Sequence, residues 1–320
     1  MTSRSRTKFA RSRRSLRHYL TARIALTAAY LVPKMSLAQV QSVGRFIGRR
    51  ILPIARSRVA RIYDHLQLAM PELPEADRRR IARESLEASA MLFAEALWIS
   101  AWRHEKHGHL VTDAPNSHMD EVLELAKARG KGLLIISGHV GPWEVLGAWL
   151  TQRIGMPILA VASAPNIPEL AEALLRIRQV AGVKIVYRGD AGLAVMRHLR
   201  AGGCVVLLGD HNLKGEGIEV PFFGQPAHSL LSIARVAVRS GAVAVTGFCY
   251  RRPDCRVEVT VDEPLTWRTD DRAAAERELT AEYTRRIEAA VRRDPGQWLW
   301  MHRRWRRRDS TIRDEPRDAE

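Results

Sequence analysis

The sequence predicts an α/β fold in which a largely parallel central sheet is flanked by helices. Between residues 133 and 250, short apolar runs alternate with segments whose apolar residues recur at helical spacing. That order is typical of parallel strands joined by helices. Several of the runs contain no polar residue, as expected for strands buried on both faces. Apolar residues make up 46% of the 320 residues, which is enough for a substantial core.

The N-terminal segment combines a basic arm with a short apolar stretch. The first 20 residues contain seven Lys or Arg and no acidic residue, and the mostly apolar residues 20–32 follow them. A helix needs about 20 apolar residues to span a bilayer. The pattern therefore favours a basic arm leading into a helix that lies on an anionic membrane. A disordered basic tail followed by an ordinary buried helix is the alternative.

Helices are predicted before the sheet begins. Residues 36–63 show helical spacing that Pro53 should interrupt, and a long amphipathic helix is predicted at 75–102. Glu95 lies on the apolar side of the long helix, where a carboxylate needs a partner, and an Arg is expected to supply it. The chain should thus divide into a basic arm with a membrane-associated helix (1–33), a helical region packing on the core (34–110), an α/β core (111–308) and a disordered tail (309–320).

The strands of the sheet are predicted at residues 133–136, 157–162, 183–186, 204–208, 243–250 and 256–261. Helices should follow the first strand and lie at 168–180, 191–199, 230–238 and 270–293. Residues 209–228 show no clear pattern and are predicted to form a long loop, which is usually functional or disordered. Within it, Phe222 and Phe223 are too apolar for disorder and could wall an apolar tunnel or rest on lipid.

His139 and Glu144 form the main candidate for chemistry. His139 lies in a Gly- and Pro-rich turn just after the first strand, and Glu144 falls in the first turn of the next helix. Residues five apart on one helix would point about 140° apart, but across a turn they can meet. A carboxylate that accepts a hydrogen bond from one imidazole nitrogen leaves the other nitrogen as a base. Alternatively, Glu144 complements the helix dipole and His139 is an ordinary loop residue.

Asp210 is a second candidate at the same predicted edge of the sheet. It follows the strand at 204–208 directly, and active sites of parallel sheets lie at the carboxyl ends of strands. Asp210 could orient the region around His139 or hold an Arg; a turn cap is the structural alternative.

The charge of the chain predicts an anionic partner. The net charge is +16, which suits either nucleic acid or an acidic membrane. Near the C-terminus, three tryptophans alternate with arginines, as expected of a segment at a membrane interface (Trp298, Trp300, Trp305, Arg303, Arg304, Arg306, Arg307 and Arg308). Stacking on bases is the rival interpretation, but no nucleic-acid-binding signature accompanies it. The three cysteines lack metal-ligand spacing, so neither a metal site nor a disulfide is expected.

Three ordered blocks resemble one protein family. His139-Val-Gly-Pro-Trp-Glu144 is similar to the His-x4-Asp/Glu signature of the bacterial lipid A biosynthesis (late) acyltransferases, a branch of the lysophospholipid acyltransferase superfamily. The other two blocks are Gly209-Asp210 followed by Val220–Gly224, and residues 295–305. The resemblance extends from about residue 20 to residue 307.

The resemblance implies a membrane-associated acyltransferase on the cytoplasmic face of the inner membrane. It would move a fatty acyl group from acyl carrier protein or coenzyme A to a hydroxyl of a glycolipid such as a lipid A precursor, without a metal or bound cofactor. His139 would be the general base and Glu144 would orient it. Another lysolipid or a phosphatidylinositol mannoside is the alternative acceptor. A hydrolase that uses His139 on water, or a basic membrane- or nucleic-acid-binding protein without catalysis, is the alternative class.

The resemblance also suggests which side chains meet the substrate. The family has a recurrent Asp at the position of Asp210, and its Phe-Phe-Gly segment, here Phe222 and Phe223, lies near the pocket. Basic residues near the substrate head group correspond to the region of Arg176 and Arg178, and an Arg fork suits phosphate.

Overall fold

A computed structural model describes residue 23 and residues 27–51, 54–163, 168–188, 191–212 and 215–305. The strands are β1 Val111–Asp113, β2 Leu133–Ser137, β3 Ile158–Ala162, β4 Val183–Tyr187, β5 Cys204–Leu208, β6 Gly217–Phe222, β7 Gln225–Leu230, β8 Val243–Arg251 and β9 Val257–Val261. Seven of them form one sheet in the order β1-β9-β8-β2-β5-β3-β4. Neighbouring strands are parallel except β8 and β9. The predicted, largely parallel sheet is confirmed.

Helices lie before the sheet and between its strands. The α-helices are α1 Leu37–Ile51, α2 Arg56–Ala69, α3 Glu75–Trp98, α4 His104–His107, α5 Met119–Arg129, α6 Trp143–Arg153, α7 Pro168–Val180, α8 Ala191–Arg200, α9 Leu231–Ser240 and α10 Arg272–Arg293. The helices predicted from residue 75 onward are found, with ends shifted by a few residues, and the helical stretch at 36–63 forms the two helices α1 and α2. The apolar stretch at residues 20–32 lies partly outside the described residues. No helix in the described part of the chain is long and apolar enough to cross a membrane.

The central strand β2 shows why the predicted runs are continuously apolar. Leu134 and Ile136 belong to the hydrophobic core on one face of the sheet. Leu133 and Ile135 belong to the core on the other face. Because alternate side chains of a strand point to opposite faces, a strand covered on both sides must be apolar at every position.

The long helix α3 joins the N-terminal helices to the sheet. Helix α1 approaches it closely enough that a Cβ on Gly44 would lie 2.5 Å from the Cα of Met91. The expected Arg partner of Glu95 is Arg251, at the end of β8. Its guanidinium donates two hydrogen bonds to the fully buried carboxylate, with N–O distances of 2.8 and 2.6 Å, and Gln41 donates a third.

Part of the predicted loop at 209–228 is a β-hairpin instead. Strands β6 and β7 pair antiparallel and are joined by Phe223 and Gly224, whose φ angles are 54° and 70°. Two consecutive positive φ angles are what a two-residue hairpin turn requires, and Asn-Gly or Asp-Gly is its usual sequence. Phe-Gly carries a weaker turn signal, so the hairpin was missed.

The predicted membrane-facing role of the C-terminal tryptophans is wrong. Trp298, Trp300 and Trp305 are buried in the core. The guanidinium of Arg304 is also buried, where it donates hydrogen bonds to the carbonyl of His228 and to the hydroxyl of Ser229. An alternation of tryptophan and arginine suits a membrane interface, but tryptophans also fill cores when their N–H groups find partners.

Some predictions concern residues outside those described. They are most of the basic arm (1–22 and 24–26), residues 306–308 of the Arg-rich segment and the tail at 309–320. These predictions, and the proposed division into segments, remain expectations.

The buried pair of Glu95 and Arg251 gives a stability prediction. Replacing Arg251 by Met should lower the free energy of unfolding by about 3–5 kcal/mol, because the Glu95 carboxylate would lose its charged partner. Urea denaturation followed by circular dichroism measures the change. The matched control is Arg252→Met, which removes a half-exposed Arg paired with Glu258 and should cost less than about 1 kcal/mol. A loss in Arg251→Met no larger than in this control would contradict the assigned role.

Candidate active site

The candidate site lies at the carboxyl ends of β2 and β5, which are neighbours in the sheet. Ser137 at the end of β2 pairs with Leu208 at the end of β5. The N–H of Gly209 donates to the carbonyl of Ser137 at 2.8 Å, so the two chains stay together beyond the strands. This register brings His139 and Asp210 to the same edge, as the sequence predicted.

A tight turn holds His139 against the C-terminal segment. Gly141 has a φ of 64°, and a Cβ there would lie 1.9 Å from the carbonyl oxygen of Cys249, so only glycine fits. The N–H of Gly141 donates to the carbonyl of Gln297 at 3.0 Å, and the N–H of Leu299 donates to the carbonyl of His139 at 3.1 Å. The C-terminal segment thus fixes the backbone on both sides of His139.

The carboxylate of Asp210 is buried and accepts three hydrogen bonds. His139 donates two of them, from Nδ1 at 2.7 Å and from its backbone N–H at 2.8 Å. The indole N–H of Trp298 donates the third at 2.8 Å. Burial alone would raise the pKa of Asp210, but the neighbouring His139 charge and these hydrogen bonds hold it well below its usual range. Asp210 therefore stays ionised at neutral pH.

The hydrogen bond to Asp210 fixes the tautomer of His139. A carboxylate only accepts, so Nδ1 of the ring carries the proton and Nε2 presents its lone pair. The ring also packs edge-to-face on Trp143, with centroids 4.8 Å apart. Contacts on two sides restrict the rotation of the ring. With Nε2 unprotonated and the ring held in place, His139 is arranged as a general base.

Glu144 makes a different contact from the one expected. Its carboxylate binds Arg178 on α7 through a two-pronged ion pair, with N–O distances of 3.1 and 2.5 Å. Asp210, not Glu144, is thus the hydrogen-bond partner of the His139 ring. Glu144 begins the helix after the turn, whereas Asp210 comes from the neighbouring strand and reaches the ring directly. The predicted orientation of His139 by Glu144 is therefore corrected to Asp210.

The other predicted substrate residues also have different surroundings. The Nε and one Nη of Arg178 are occupied by Glu144, and Arg176 is exposed in a surface pair with Glu172. Phe222 and Phe223 are buried, so they do not rest on lipid. Phe222 packs instead on Trp298, with ring centroids 5.7 Å apart, and so supports the indole that binds Asp210.

Two further histidines extend from the ring of His139. His211 stacks on it with centroids 3.7 Å apart and planes 3° from parallel, and His302 lies 3.9 Å beyond His211. Burial, followed by the charge of His139, lowers the pKa of His211 to about 2. The same two causes lower the pKa of His302 to about 4, although part of that residue is exposed. Both rings are neutral near pH 7, so neither places a positive charge beside His139.

The donor atoms of His139, Asp210 and His211 lie within 4.8 Å of one another, yet they do not suit a metal ion. The lone pairs of an imidazole lie in its ring plane. Because the two rings are parallel and 3.7 Å apart, a metal bound in the plane of one ring would lie too far from the plane of the other. The Nδ1 of His139 is already committed to Asp210. This geometry suits proton transfer better than metal binding.

A shallow depression, open to solvent, lies beside His139. It is lined by residues of α3, of the His139 turn and of the C-terminal segment: Ala88, Ser89, Leu92, His139, Gly141, Trp143, Gln297, Trp298 and Leu299. Arg188, which follows β4 at the same edge of the sheet, has no hydrogen bond or ion pair with any described residue. Its positive charge helps to lower the pKa of His211. The base adjoins the depression, and Arg188 acts on the site through its charge.

Sequence reasoning missed several of these residues. His211 directly follows Asp210, so its neighbourhood could have been inferred from position alone. The site role of Trp298 carried no local signal, because its partner Asp210 is 88 residues away. The charge effect of Arg188 on His211 could not be predicted, because it depends on the order of the strands in the sheet.

Comparison with known proteins gives matches over most of the chain. Residues 6–307 match the sequence profile of a family described as bacterial lipid A biosynthesis acyltransferase. The lipid A biosynthesis lauroyltransferase of Escherichia coli (strain K12) is 24% identical over 311 residues, which are 95% of this chain and 97% of that protein.

Other relatives are named for a different lipid. The phosphatidylinositol mannoside acyltransferase of Mycobacterium tuberculosis (strain CDC 1551 / Oshkosh) is 26% identical over 170 residues, 52% of this chain and 53% of that protein. The protein of the same name from Mycolicibacterium smegmatis (strain ATCC 700084 / mc(2)155) is 23% identical over 178 residues, 54% of this chain and 57% of that protein. The chain thus spans only about half the length of these mycobacterial relatives.

The lowered pKa of His211 predicts an acid-sensitive stability. Below about pH 6.5 an unfolded chain protonates this histidine, whereas the folded chain keeps it neutral down to about pH 2. The unfolded state then binds more protons, so stability falls as pH falls. When the pH is lowered from 7 to 5, the free energy of unfolding should fall in both proteins. The fall should be about 1–2 kcal/mol smaller in His211→Gln than in the wild type.

Urea denaturation at the two pH values measures this difference. The matched control is His109→Gln, because His109 is exposed on the surface. An identical pH dependence in wild type and His211→Gln would show that His211 is not held neutral in the folded protein.

Proposed function

Because the chain belongs to the bacterial lipid A biosynthesis acyltransferase family, we propose that it transfers a fatty acyl group from a thioester to a hydroxyl group of a membrane glycolipid. One observation carries the catalytic part of this proposal. The ring of His139 donates a hydrogen bond from Nδ1 to the buried carboxylate of Asp210, which leaves Nε2 as a base beside the pocket. The donor is an acyl thioester of acyl carrier protein or of coenzyme A, and the chemistry needs no bound cofactor.

The reaction follows from the position of this base. Nε2 of His139 takes the proton from the acceptor hydroxyl as its oxygen attacks the thioester carbonyl, which forms a tetrahedral intermediate. Collapse of the intermediate breaks the carbon–sulfur bond, and the thiolate leaves with the proton from the imidazolium. Asp210 remains a carboxylate throughout and stabilises the imidazolium through the hydrogen bond at Nδ1. No protein nucleophile is required.

Glu144 and Arg178 support this site through their ion pair. The pair ties the first turn of α6, next to His139, to helix α7. Glu144 is thus a positioning residue in the proposal, not the partner of the base. Arg188, an exposed residue that follows β4 at the same edge, is assigned in this proposal to an anionic group of the donor or acceptor, such as a phosphate.

A lipid A precursor is the preferred acceptor, and a phosphatidylinositol mannoside is the second candidate. The match to the Escherichia coli lauroyltransferase extends along 95% of the chain, which supports the first. The two mycobacterial relatives support phosphatidylinositol mannoside as the acceptor, and they match slightly more than half of this chain. Both acceptors place a hydroxyl group at a membrane surface. In this proposal the enzyme therefore works at the cytoplasmic face of the inner membrane, where its net charge of +16 suits anionic lipids.

Substitutions in the site should separate the roles of the residues. His139→Ala should lower kcat about 100- to 10,000-fold, which is the usual contribution of a general base. Asp210→Asn should approach the same loss, because an amide can donate to Nδ1 and favour the wrong tautomer. Glu144→Gln should cost less than either, since it weakens only the support from Arg178.

Initial rates of transfer from acyl carrier protein to a lipid A precursor, and separately to a phosphatidylinositol mannoside, measure these effects. His198→Gln is the matched control, because His198 binds the carbonyl of Pro157 away from the site. A His139→Ala variant with kcat near that of wild type would rule out the mechanism. Transfer to neither acceptor by the wild type would rule out the proposed substrates.

A further inference from the structure

His211 is a polar residue beside the base that the proposed mechanism does not use. Its Nε2 is buried and has no hydrogen-bond partner among the described residues. A buried polar atom without a partner destabilises the folded state, and an apolar side chain at this position would avoid that cost. Such an atom in a folded protein calls for an explanation, and a role in the neighbouring site is one of the usual ones.

The printed contacts of His211 are made by its ring and not by hydrogen bonds. The ring lies parallel to that of His139, with centroids 3.7 Å apart and an interplanar angle of 3°. It also contacts the ring of His302, with centroids 3.9 Å apart and an angle of 31°. The ring of His302 lies 5.7 Å from that of His139, so the three rings form one compact group. Movement of His211 away from His139 is therefore restricted by His302.

The backbone after β5 brings two consecutive residues to two different parts of the His139 ring. Asp210 accepts a hydrogen bond from Nδ1 at the edge of the ring, and it also accepts one from the backbone N–H of His139. The next residue, His211, then lies against the face of the same ring. Edge and face are thus contacted by one short piece of chain, whose position is set by the pairing of β5 with β2.

The face of the ring needs a contact of its own. The torsion that turns an imidazole about its bond to Cβ has a broad energy minimum, so it does not define the plane of the ring. The hydrogen bond to Asp210 holds one atom, Nδ1. The contact with Trp143 is nearly perpendicular, at 82°, and an edge-to-face contact covers less of a ring than parallel stacking does. Stacking on His211 is the contact that defines the plane.

We propose that His211 is a positioning residue, which holds the plane of the His139 ring by stacking and so fixes the direction of Nε2. A neutral aromatic face also attracts a cation, so the contact persists when His139 becomes an imidazolium. The stacking role concerns the folded protein alone. Its effect on the reaction rests on the proposed acyl transfer.

Two substitutions separate the ring of His211 from its N–H group. His211→Phe keeps an aromatic ring and removes the donor, whereas His211→Gln keeps an N–H donor and removes the ring. His211→Phe should keep kcat within about twofold of wild type, and His211→Gln should lower it about tenfold, because a small displacement of a catalytic group is costly. KM for both substrates should stay unchanged, since His211 acts through His139. Initial rates of transfer measure both constants.

Further variants guard this comparison. His211→Leu has neither ring nor donor and should behave like His211→Gln. His211→Tyr is a second ring variant, which should behave like His211→Phe if the latter folds poorly in urea denaturation. The matched controls are His109→Phe and His109→Gln, since His109 is exposed away from the three rings, and both should have the kcat of wild type.

Three kinetic results would overturn the stacking role. A kcat that falls with Phe and Tyr but not with Gln would assign the N–H of His211 to a hydrogen bond with substrate. Equal losses in all four variants would show that neither ring nor donor alone suffices, and equal retention would show that His211 is not needed.

Proton–nitrogen NMR of the protein without substrates tests the stacking role apart from the reaction. The Nδ1 proton of His139 should give a sharp signal in wild type and in His211→Phe. In His211→Gln the signal should broaden, because a tilting ring exposes its hydrogen bond to water. Equal line widths in all three proteins would overturn the proposal. A wild type that transfers no acyl group would overturn the proposed function, and the NMR comparison would still decide the role of His211.

Discussion

The buried carboxylate of Asp210 accepts three hydrogen bonds, two from His139 and one from the indole of Trp298, and so joins the end of β5 to two other parts of the molecule. An ionised carboxylate cannot be buried without such partners, because the loss of hydration would be too costly. The ends of β2 and β5 and the C-terminal segment must therefore meet at this point. The same requirement places His139 with Nδ1 as donor and Nε2 free, which is the arrangement that the proposed acyl transfer uses.

The C-terminal segment gains its importance from this constraint. Its backbone pairs with the turn of His139, and the side chain of Gln297 exchanges hydrogen bonds with the backbone of Arg251. Arg251 in turn forms an ion pair with Glu95 on α3. Other residues of α3 line the pocket. The helix beside the pocket, the sheet and the base are thus joined by one polar network.

Local patterns predicted the fold better than the site. Strands β2 and β5 were predictable because burial on both faces demands unbroken apolar runs, and this also placed His139 and Asp210 at one edge. The sequence left the partner of His139 open between Glu144 and Asp210, because spacing along the chain favours Glu144 while the contact with Asp210 depends on strand order. Trp298 and Arg304 were wrongly predicted to face a membrane. Composition alone does not distinguish a segment at a membrane interface from a buried segment whose polar atoms form hydrogen bonds in the core. The hairpin of β6 and β7 was missed because Phe223 replaces the usual turn residue.

The ring nitrogens of His139 test the central claim most directly. Nitrogen NMR of protein labelled on histidine, at neutral pH, should show His139 with a protonated Nδ1 and an unprotonated Nε2. This tautomer should persist in Glu144→Gln and be lost in Asp210→Asn, since only Asp210 accepts the Nδ1 proton. A tautomer that changes in Glu144→Gln but survives in Asp210→Asn would contradict the account and restore Glu144 as the partner of the base.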